Sequence, residues 1–198
     1  LFCGHSEAGK GYMTYRRAAM ALAAGGYTVL VPDPISQGER KQMPGSTLEC
    51  WDEHNIIGKQ LMLTGDSISN WMMWDATRCI DLLLSLPDID CRHVGVTGNS
   101  GGGTATSFIG ALDRRITMSA PSCYVTSWLS NTENELQADA EQIPAGAIAA
   151  GLDIADFLIA AAPRPQMILG QKDDFFDVRG TKTAYEEIKH IYSHLGKD

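Results

Sequence analysis

Residues 94–102 read Val-Gly-Val-Thr-Gly-Asn-Ser-Gly-Gly, and the fold prediction starts from them. The apolar run from Val94 to Thr97 is typical of a buried strand, and the chain after Gly102 can turn helical. A sharp turn from strand to helix strains the backbone of its central residue. Side chains at Gly98 or Gly102 would collide with the neighbouring strand and helix there. The pattern therefore predicts a serine nucleophile elbow with Ser100 as the candidate nucleophile. A tight glycine turn without chemistry is the alternative.

Such an elbow also predicts where an oxyanion would bind. The backbone amide of Gly101, directly after the serine, can point at a developing negative charge. A second amide should come from the loop that follows an early strand, and Gly4-His5-Ser6 occupies that place. The sequence therefore predicts His5 as a backbone donor, with its imidazole as a less favoured candidate base.

Strand and helix signals alternate along most of the chain, which predicts one α/β domain over residues 1–198. A mostly parallel sheet with helices on both faces is expected. Strands are predicted at 1–3, 28–31, 94–97, 116–119 and 166–169, and helices at 12–24, 75–86, 102–112 and 180–195, with an uncertain helical region at 48–69. Residues 121–162 do not fit the alternation. They are interpreted as an insertion, or cap-like segment, over the active-site end of the sheet.

Composition excludes several partners. The net charge is −8 and no long basic cluster occurs, which argues against nucleic acid and anionic membranes. No apolar run approaches the roughly 20 residues of a membrane span. The five cysteines lie far apart without metal-ligand spacing, so free thiols are expected and a zinc site is not.

A serine nucleophile needs a base, and the base needs a carboxylate to orient it. If the triad runs in the order serine, acid, histidine along the chain, the acid should follow the strand at 166–169. The turn that begins there at Gly170 carries several aspartates. Asp173 is the first choice and Asp174 the alternative. Asp177 is expected to cap the final helix instead.

Histidine candidates after this acid are weak. His190 and His194 fall outside the apolar stripe of the last helix and are expected to face water. His54 is interpreted as a packing or surface residue. The triad histidine should lie on a loop beyond one further strand, which does not appear before Asp198, and residues 1–3 are expected to begin inside a strand. The chain is therefore expected to be truncated at both ends.

A competing motif overlaps the His5 loop. Residues 4–10 match G-x-x-x-x-G-K, the outline of a phosphate-binding loop. Gly11 stands where a Ser or Thr should hold magnesium, and Glu7 would place negative charge inside the phosphate cradle. Nucleotide binding is therefore a minor alternative.

Taken together, these pieces resemble the α/β-hydrolase superfamily. The chain is most similar to acetylxylan-esterase-like and dienelactone-hydrolase-like proteins and to the catalytic domains of prolyl-oligopeptidase-type enzymes. The resemblance rests on Cys3-Gly4-His5, Pro32-Asp33, Gln37 to Arg40, the elbow with Gly101 to Thr104, Ala162 to Pro165 and Gly170 to Asp174.

The resemblance implies hydrolysis of a small-molecule carboxylic ester, such as a short acyl ester or a carbohydrate acetate, through an acyl-enzyme. Ser100 would attack, the Gly101 and His5 amides would hold the oxyanion, and Asp173 would orient a histidine. No metal or organic cofactor is implied. The alternatives are a prolyl-type serine peptidase and a non-catalytic binding module.

Overall fold

The centre of the fold is a pair of parallel strands. In this computed structural model, which describes residues 1–43, 45–134 and 138–197, strand β1 is Gly95–Asn99 and strand β2 is Met118–Ser122. Their register runs from Gly95 opposite Met118 to Asn99 opposite Ser122. The sequence predicted both strands, each within a few residues.

Isolated parallel bridges extend this pair on both sides. Phe2 bridges to Gly98, and Gln166 and Leu169 bridge to β2. The segments predicted as strands at 1–3 and 166–169 therefore flank β1 and β2 in a parallel arrangement. Residues 28–31 are not assigned as a strand, although the Leu30 carbonyl accepts a hydrogen bond from the amino group of Leu1 at 2.9 Å.

Seven α-helices lie in the described part of the chain: α1 Met13–Ala24, α2 Cys50–Met62, α3 Ile68–Ser85, α4 Gly101–Leu112, α5 Trp128–Glu133, α6 Ile154–Ala160 and α7 Val178–His194. Single 3₁₀ turns occur at Gly9–Gly11, Gly38–Arg40 and Ala140–Gln142. The uncertain region at 48–69 contains α2 and the start of α3. Helix α3 starts earlier than predicted because the Ser67 side chain caps it, accepting a hydrogen bond from the Asn70 amide.

Helix α4 is the buried centre of the packing. Every residue from Gly101 to Gly110 is buried, and the helix packs on β1 and β2 and against α3 and α6. Phe108 contacts the rings of Tyr124 and Phe157 inside this core. The turn at Ser100 therefore leads into a helix that is buried over most of its length.

The opposite face of the sheet is more open. A groove of about 720 Å³ runs along it, with Met118 and Met167 exposed on its floor and Leu22 of α1 in its lining. Helical cover, predicted for both faces, is thus clear on the α4 face, while this second face stays accessible in the described residues.

Residues 121–162 contain α5, a 3₁₀ turn and α6 in place of a strand–helix repeat. Their interpretation as an insertion over the active site stays a prediction. None of the described helices is both long and apolar enough to cross a membrane. The five cysteines are free, with Cys3 and Cys50 buried and Cys91 exposed.

Candidate active site

Ser100 occupies the junction between β1 and α4 in a strained backbone conformation. Its φ is 57° and its ψ is −119°, a region that residues with a side chain rarely adopt. The Ser100 amide donates a hydrogen bond to the Ser122 carbonyl at 2.9 Å, which ties the turn to the end of β2. The side chain is half-buried. This is the elbow geometry that the sequence predicted.

The glycines beside Ser100 are required by close backbone packing. A Cβ atom on Gly98 would lie 2.5 Å from the Gly102 carbonyl oxygen. A Cβ on Gly102 would overlap the carbonyl oxygen of Phe2 and lie 2.8 Å from its carbonyl carbon. The predicted collisions with the neighbouring strand and helix are therefore confirmed.

The N-terminus of α4 presents amides next to the serine. The first amides of any α-helix have no partner inside the helix, and they carry the positive end of its dipole. Gly101 is the first residue of α4. Its amide is thus available at the place where the sequence analysis put an oxyanion donor.

The two candidate aspartates in the turn after residues 166–169 differ in solvent exposure. Asp173 is exposed, whereas Asp174 is half-buried and accepts a long hydrogen bond of 3.5 Å from the Phe176 amide. Burial raises the pKa of the Cys123 thiol, and a hydrogen bond to Asp174 adds to the rise. Since Cys123 directly follows Ser122, the last residue of β2, Asp174 lies near the end of β2.

Asp177 has the predicted capping role. Its side chain accepts a hydrogen bond of 2.7 Å from the Arg179 amide at the start of α7. At the other end of α7, His190 and His194 are exposed, as predicted. The Nδ1 of His194 donates to the His190 carbonyl at 2.8 Å.

A cluster that the sequence analysis did not predict lies beside the elbow. It comprises His5, His54, Asp139 and Glu141, and we call it the His–carboxylate cluster. The Oδ2 atom of Asp139 lies 2.7 Å from Nε2 of His5 and 3.0 Å from Nδ1 of His54. These two ring nitrogens are 3.1 Å apart. The Nε2 of His54 donates to the Ile35 carbonyl at 2.7 Å.

The cluster is largely shielded from solvent, and its charged groups shift one another's pKa values. Burial alone would lower the pKa of His54, but the hydrogen bond to Asp139 and the charge of Glu141 raise it to about 9. Burial opposes ionisation of Asp139, yet hydrogen bonds from both imidazoles hold its pKa well below the ordinary range. Burial raises the pKa of Glu141. Only His5, 24% exposed, reaches the surface.

Contacts place this cluster against the first turn of α4. A Cβ atom on Gly101 would overlap Oε1 of Glu141 and lie 3.3 Å from Cε1 of His5. His54 was predicted to be a packing or surface residue. It is fully buried, as a packing residue would be, but both of its ring nitrogens have polar partners. The His5 imidazole, a less favoured candidate base in the sequence analysis, contacts Asp139 and Glu141, and these contacts were not predicted. The predicted role of His5 as a backbone donor stays a prediction.

The phosphate-loop alternative does not fit the contacts of its lysine. Nζ of Lys10 pairs with Asp33 at 2.5 Å and with Glu39 at 2.6 Å. The Glu7 carboxylate pairs with Lys41 and accepts a hydrogen bond from the Cys50 amide. Lys10 is thus committed to carboxylates, and the loop is organised around Asp33.

Comparison with known proteins agrees with this architecture. No family model matches the chain. "Putative hydrolase YtaP" of Bacillus subtilis (strain 168) is 25% identical over 178 residues, which are 88% of this chain and 56% of that protein. A solved structure described as a "putative acetyl xylan esterase" from Bacteroides fragilis superposes with a TM-score of 0.76 at 17% identity, covering 99% of this chain and 55% of the other.

In fold, the described part of this chain, a mixed α/β structure with a parallel strand pair, resembles these α/β-hydrolase-like esterases. A glucuronoyl esterase catalytic domain from Hypocrea jecorina also superposes, with a TM-score of 0.55 at 19% identity over 65% of this chain and 42% of that one. The Bacillus subtilis and Bacteroides fragilis proteins match most of this chain, but the chain spans only about half of their length. The resemblance stated from the sequence is thus confirmed at the level of the fold.

Proposed function

We propose that this chain hydrolyses carboxylic esters through an acyl-enzyme on Ser100. The observation that carries the proposal is the strained conformation of Ser100 between β1 and α4, with φ at 57°. A buried, well-packed α4 holds this strain in place, and strain maintained in this way is common at functional sites. The esterase names of the structural neighbours support the same reaction class.

The proposed reaction starts with attack of the Ser100 hydroxyl on the ester carbonyl. The amide of Gly101 stabilises the oxyanion, and the amide of His5 is the proposed second donor. A histidine base takes the serine proton and returns it to the departing alcohol, and water then releases the acyl group. His190 and His194 contact each other on the exposed end of α7, so the proposal does not use them.

Asp173 and Asp174 both remain candidates for the carboxylate that orients the base. Asp173 occupies the position that the resemblance favours. Asp174 is less exposed and lies near Cys123, where a carboxylate would be better shielded from water. Comparison of Asp173→Asn with Asp174→Asn separates them, since loss of the orienting acid lowers the turnover rate by orders of magnitude (about 10⁴-fold in a well-studied serine protease).

Short acyl esters, including carbohydrate acetates, are the proposed substrates. The net charge of −8 disfavours anionic substrates and suits neutral ones. Comparing the hydrolysis rates of acetyl esters with those of esters that carry longer acyl chains would test this preference.

Covalent labelling tests the nucleophile directly. Wild-type protein should react with a fluorophosphonate probe and hydrolyse p-nitrophenyl acetate, whereas Ser100→Ala should do neither above background. Ser85→Ala is the matched control, because Ser85 is an exposed serine whose hydroxyl bonds only locally, to the Leu82 carbonyl. Folded wild-type protein that resists the probe would favour a non-catalytic binding module. Equal labelling of Ser100→Ala would place the nucleophile elsewhere.

A further inference from the structure

The His–carboxylate cluster unites side chains that are distant in sequence. His5 comes from the loop after the first extended segment, His54 from α2, and Asp139 and Glu141 from the 3₁₀ turn and its cap. One potential ligand atom from each of these side chains lies within 4.8 Å of all the others. Such convergence of two imidazoles and two carboxylates is the donor set of a transition-metal site.

The distances within the cluster approach those of a tetrahedral site. Zinc bonds of about 2.0–2.1 Å to nitrogen and oxygen imply ligand atoms about 3.3 Å apart. The two ring nitrogens are separated by 3.1 Å, and Nδ1 of His54 lies 3.0 Å from Oδ2 of Asp139. Oε1 of Glu141 lies 3.5 Å from Nε2 of His5. The Asp139 Oδ2–His5 Nε2 pair is closer, at 2.7 Å, and the Glu141 Oε2–His54 Nδ1 pair is wider, at 3.9 Å. Coordination would therefore require side-chain shifts of about half an ångström or more around the ion.

The surrounding hydrogen bonds orient the donors as metal ligands. His54 donates Nε2–H to the Ile35 carbonyl, which leaves Nδ1 directed at the cluster. Asp139 accepts the Glu141 amide on Oδ1 at 3.1 Å, which leaves Oδ2 for the cluster. An outer-shell hydrogen bond that fixes the ring of a ligating histidine is the usual second shell of a metal site.

One carboxylate oxygen of the cluster has no hydrogen-bond partner among the described residues. Oε1 of Glu141 is buried and makes no hydrogen bond with any residue that the structure describes. A buried carboxylate oxygen without a partner is costly, because it has lost its hydration. A divalent cation would supply the partner, and the negative charges of Asp139 and Glu141 would balance it in full.

We propose that His5, His54, Asp139 and Glu141 bind one divalent transition-metal ion, with zinc the best match. Imidazole ligands favour zinc over magnesium or calcium, which take mainly oxygen. The ion ties α2 and the 3₁₀ turn Ala140–Gln142 to the first turn of α4, because Glu141 and His5 lie against Gly101. Its role is to hold the wall of the Ser100 site in place. The site was not expected from the sequence and does not depend on ester hydrolysis.

Zinc titration of metal-free protein tests the site. The protein is stripped with dipicolinate and titrated with Zn²⁺ against a chromophoric chelator. Asp139→Asn should weaken zinc binding by about 100-fold or more, since even second-shell changes cost about 10–100-fold. Asparagine keeps the Oδ1 acceptor for the Glu141 amide, so the cap of the turn is retained. Co²⁺ bound to wild-type protein should show the visible absorption of a tetrahedral site.

Controls separate this site from other metal-binding groups. His190→Gln combined with His194→Gln removes the exposed histidine pair and should leave zinc affinity unchanged, as should Ser100→Ala, which tests the separate proposal of hydrolysis. If circular dichroism shows that Asp139→Asn does not fold, Glu141→Gln is used in its place, and the same loss of zinc affinity is expected. Wild-type protein that binds no zinc, or binds it as Asp139→Asn does, would show that hydrogen bonds alone hold the cluster together.

Discussion

Two identical substitutions in helix α4 should change stability in opposite directions. At Gly102 an added methyl group would lie 2.8 Å from the Phe2 carbonyl carbon and overlap its oxygen. Carbon atoms pack at about 3.5–4.0 Å, so Phe2 or α4 would have to shift by at least about 0.7 Å. At Gly110 the nearest heavy atom is Cβ of Ser119 at 3.4 Å, which is ordinary contact.

The expected magnitudes follow from these distances. Overpacking costs typically 1–3 kcal/mol, and the high end applies at Gly102 because its neighbours are backbone atoms. Alanine is favoured over glycine in a helix by about 1 kcal/mol. Gly102→Ala should therefore lower the free energy of unfolding by about 2 kcal/mol, while Gly110→Ala should raise it by up to about 1 kcal/mol.

Urea denaturation followed by circular dichroism and tryptophan fluorescence measures both variants. Coincident transitions by the two probes would justify two-state free energies. Fluorophosphonate labelling gives a second readout, because a shift of about 1 Å at the elbow can slow reaction by about 100-fold. If Gly102→Ala is as stable as Gly110→Ala, the close approach of Phe2 to α4 does not exist as described, and the argument for the elbow glycines is wrong.

Two further variants test the loop around Asp33 and the core around Phe108. Burial would raise the pKa of Asp33, but hydrogen bonds from Lys10 and the Glu39 amide lower it below the ordinary 3.8. The ionised form therefore stabilises the fold above about that pH, and this contribution is lost as the pH falls through the depressed folded value. Asp33→Asn should destabilise the protein at neutral pH, and the difference from wild type in urea unfolding should shrink towards acid pH; a pH-independent difference would contradict the ion pair. Phe108 is 2% exposed and Leu112, on the same helix, is 67% exposed. Phe108→Ala should therefore cost about 3–5 kcal/mol and Leu112→Ala well under 1 kcal/mol in the same assay, and similar losses would place Phe108 outside the core.

Local sequence was sufficient for the elbow and for most helices. Side chains at positions 98 and 102 would collide with backbone atoms of the same turn or of the neighbouring extended segment. The turn therefore requires glycine at both positions, and this requirement is visible within a few residues of sequence. The capping role of Asp177 was equally readable, because a cap acts on amides within the next turn of its own helix. The strand at 28–31 failed as a prediction, since strand assignment requires a ladder of partners that an apolar run does not guarantee.

Tertiary structure alone assembled the His–carboxylate cluster. His54 and Asp139 are 85 positions apart, and no periodicity or spacing connects them. His54 was interpreted as packing or surface because a single histidine in a helix gives no sign of its partner. Asp139 and Glu141 lie within residues 121–162, which were interpreted as an insertion with no side chain singled out for a role. Short-range patterns record the backbone conformation that each residue needs, whereas the burial and charge of this cluster arise only when three remote segments meet beside Gly101.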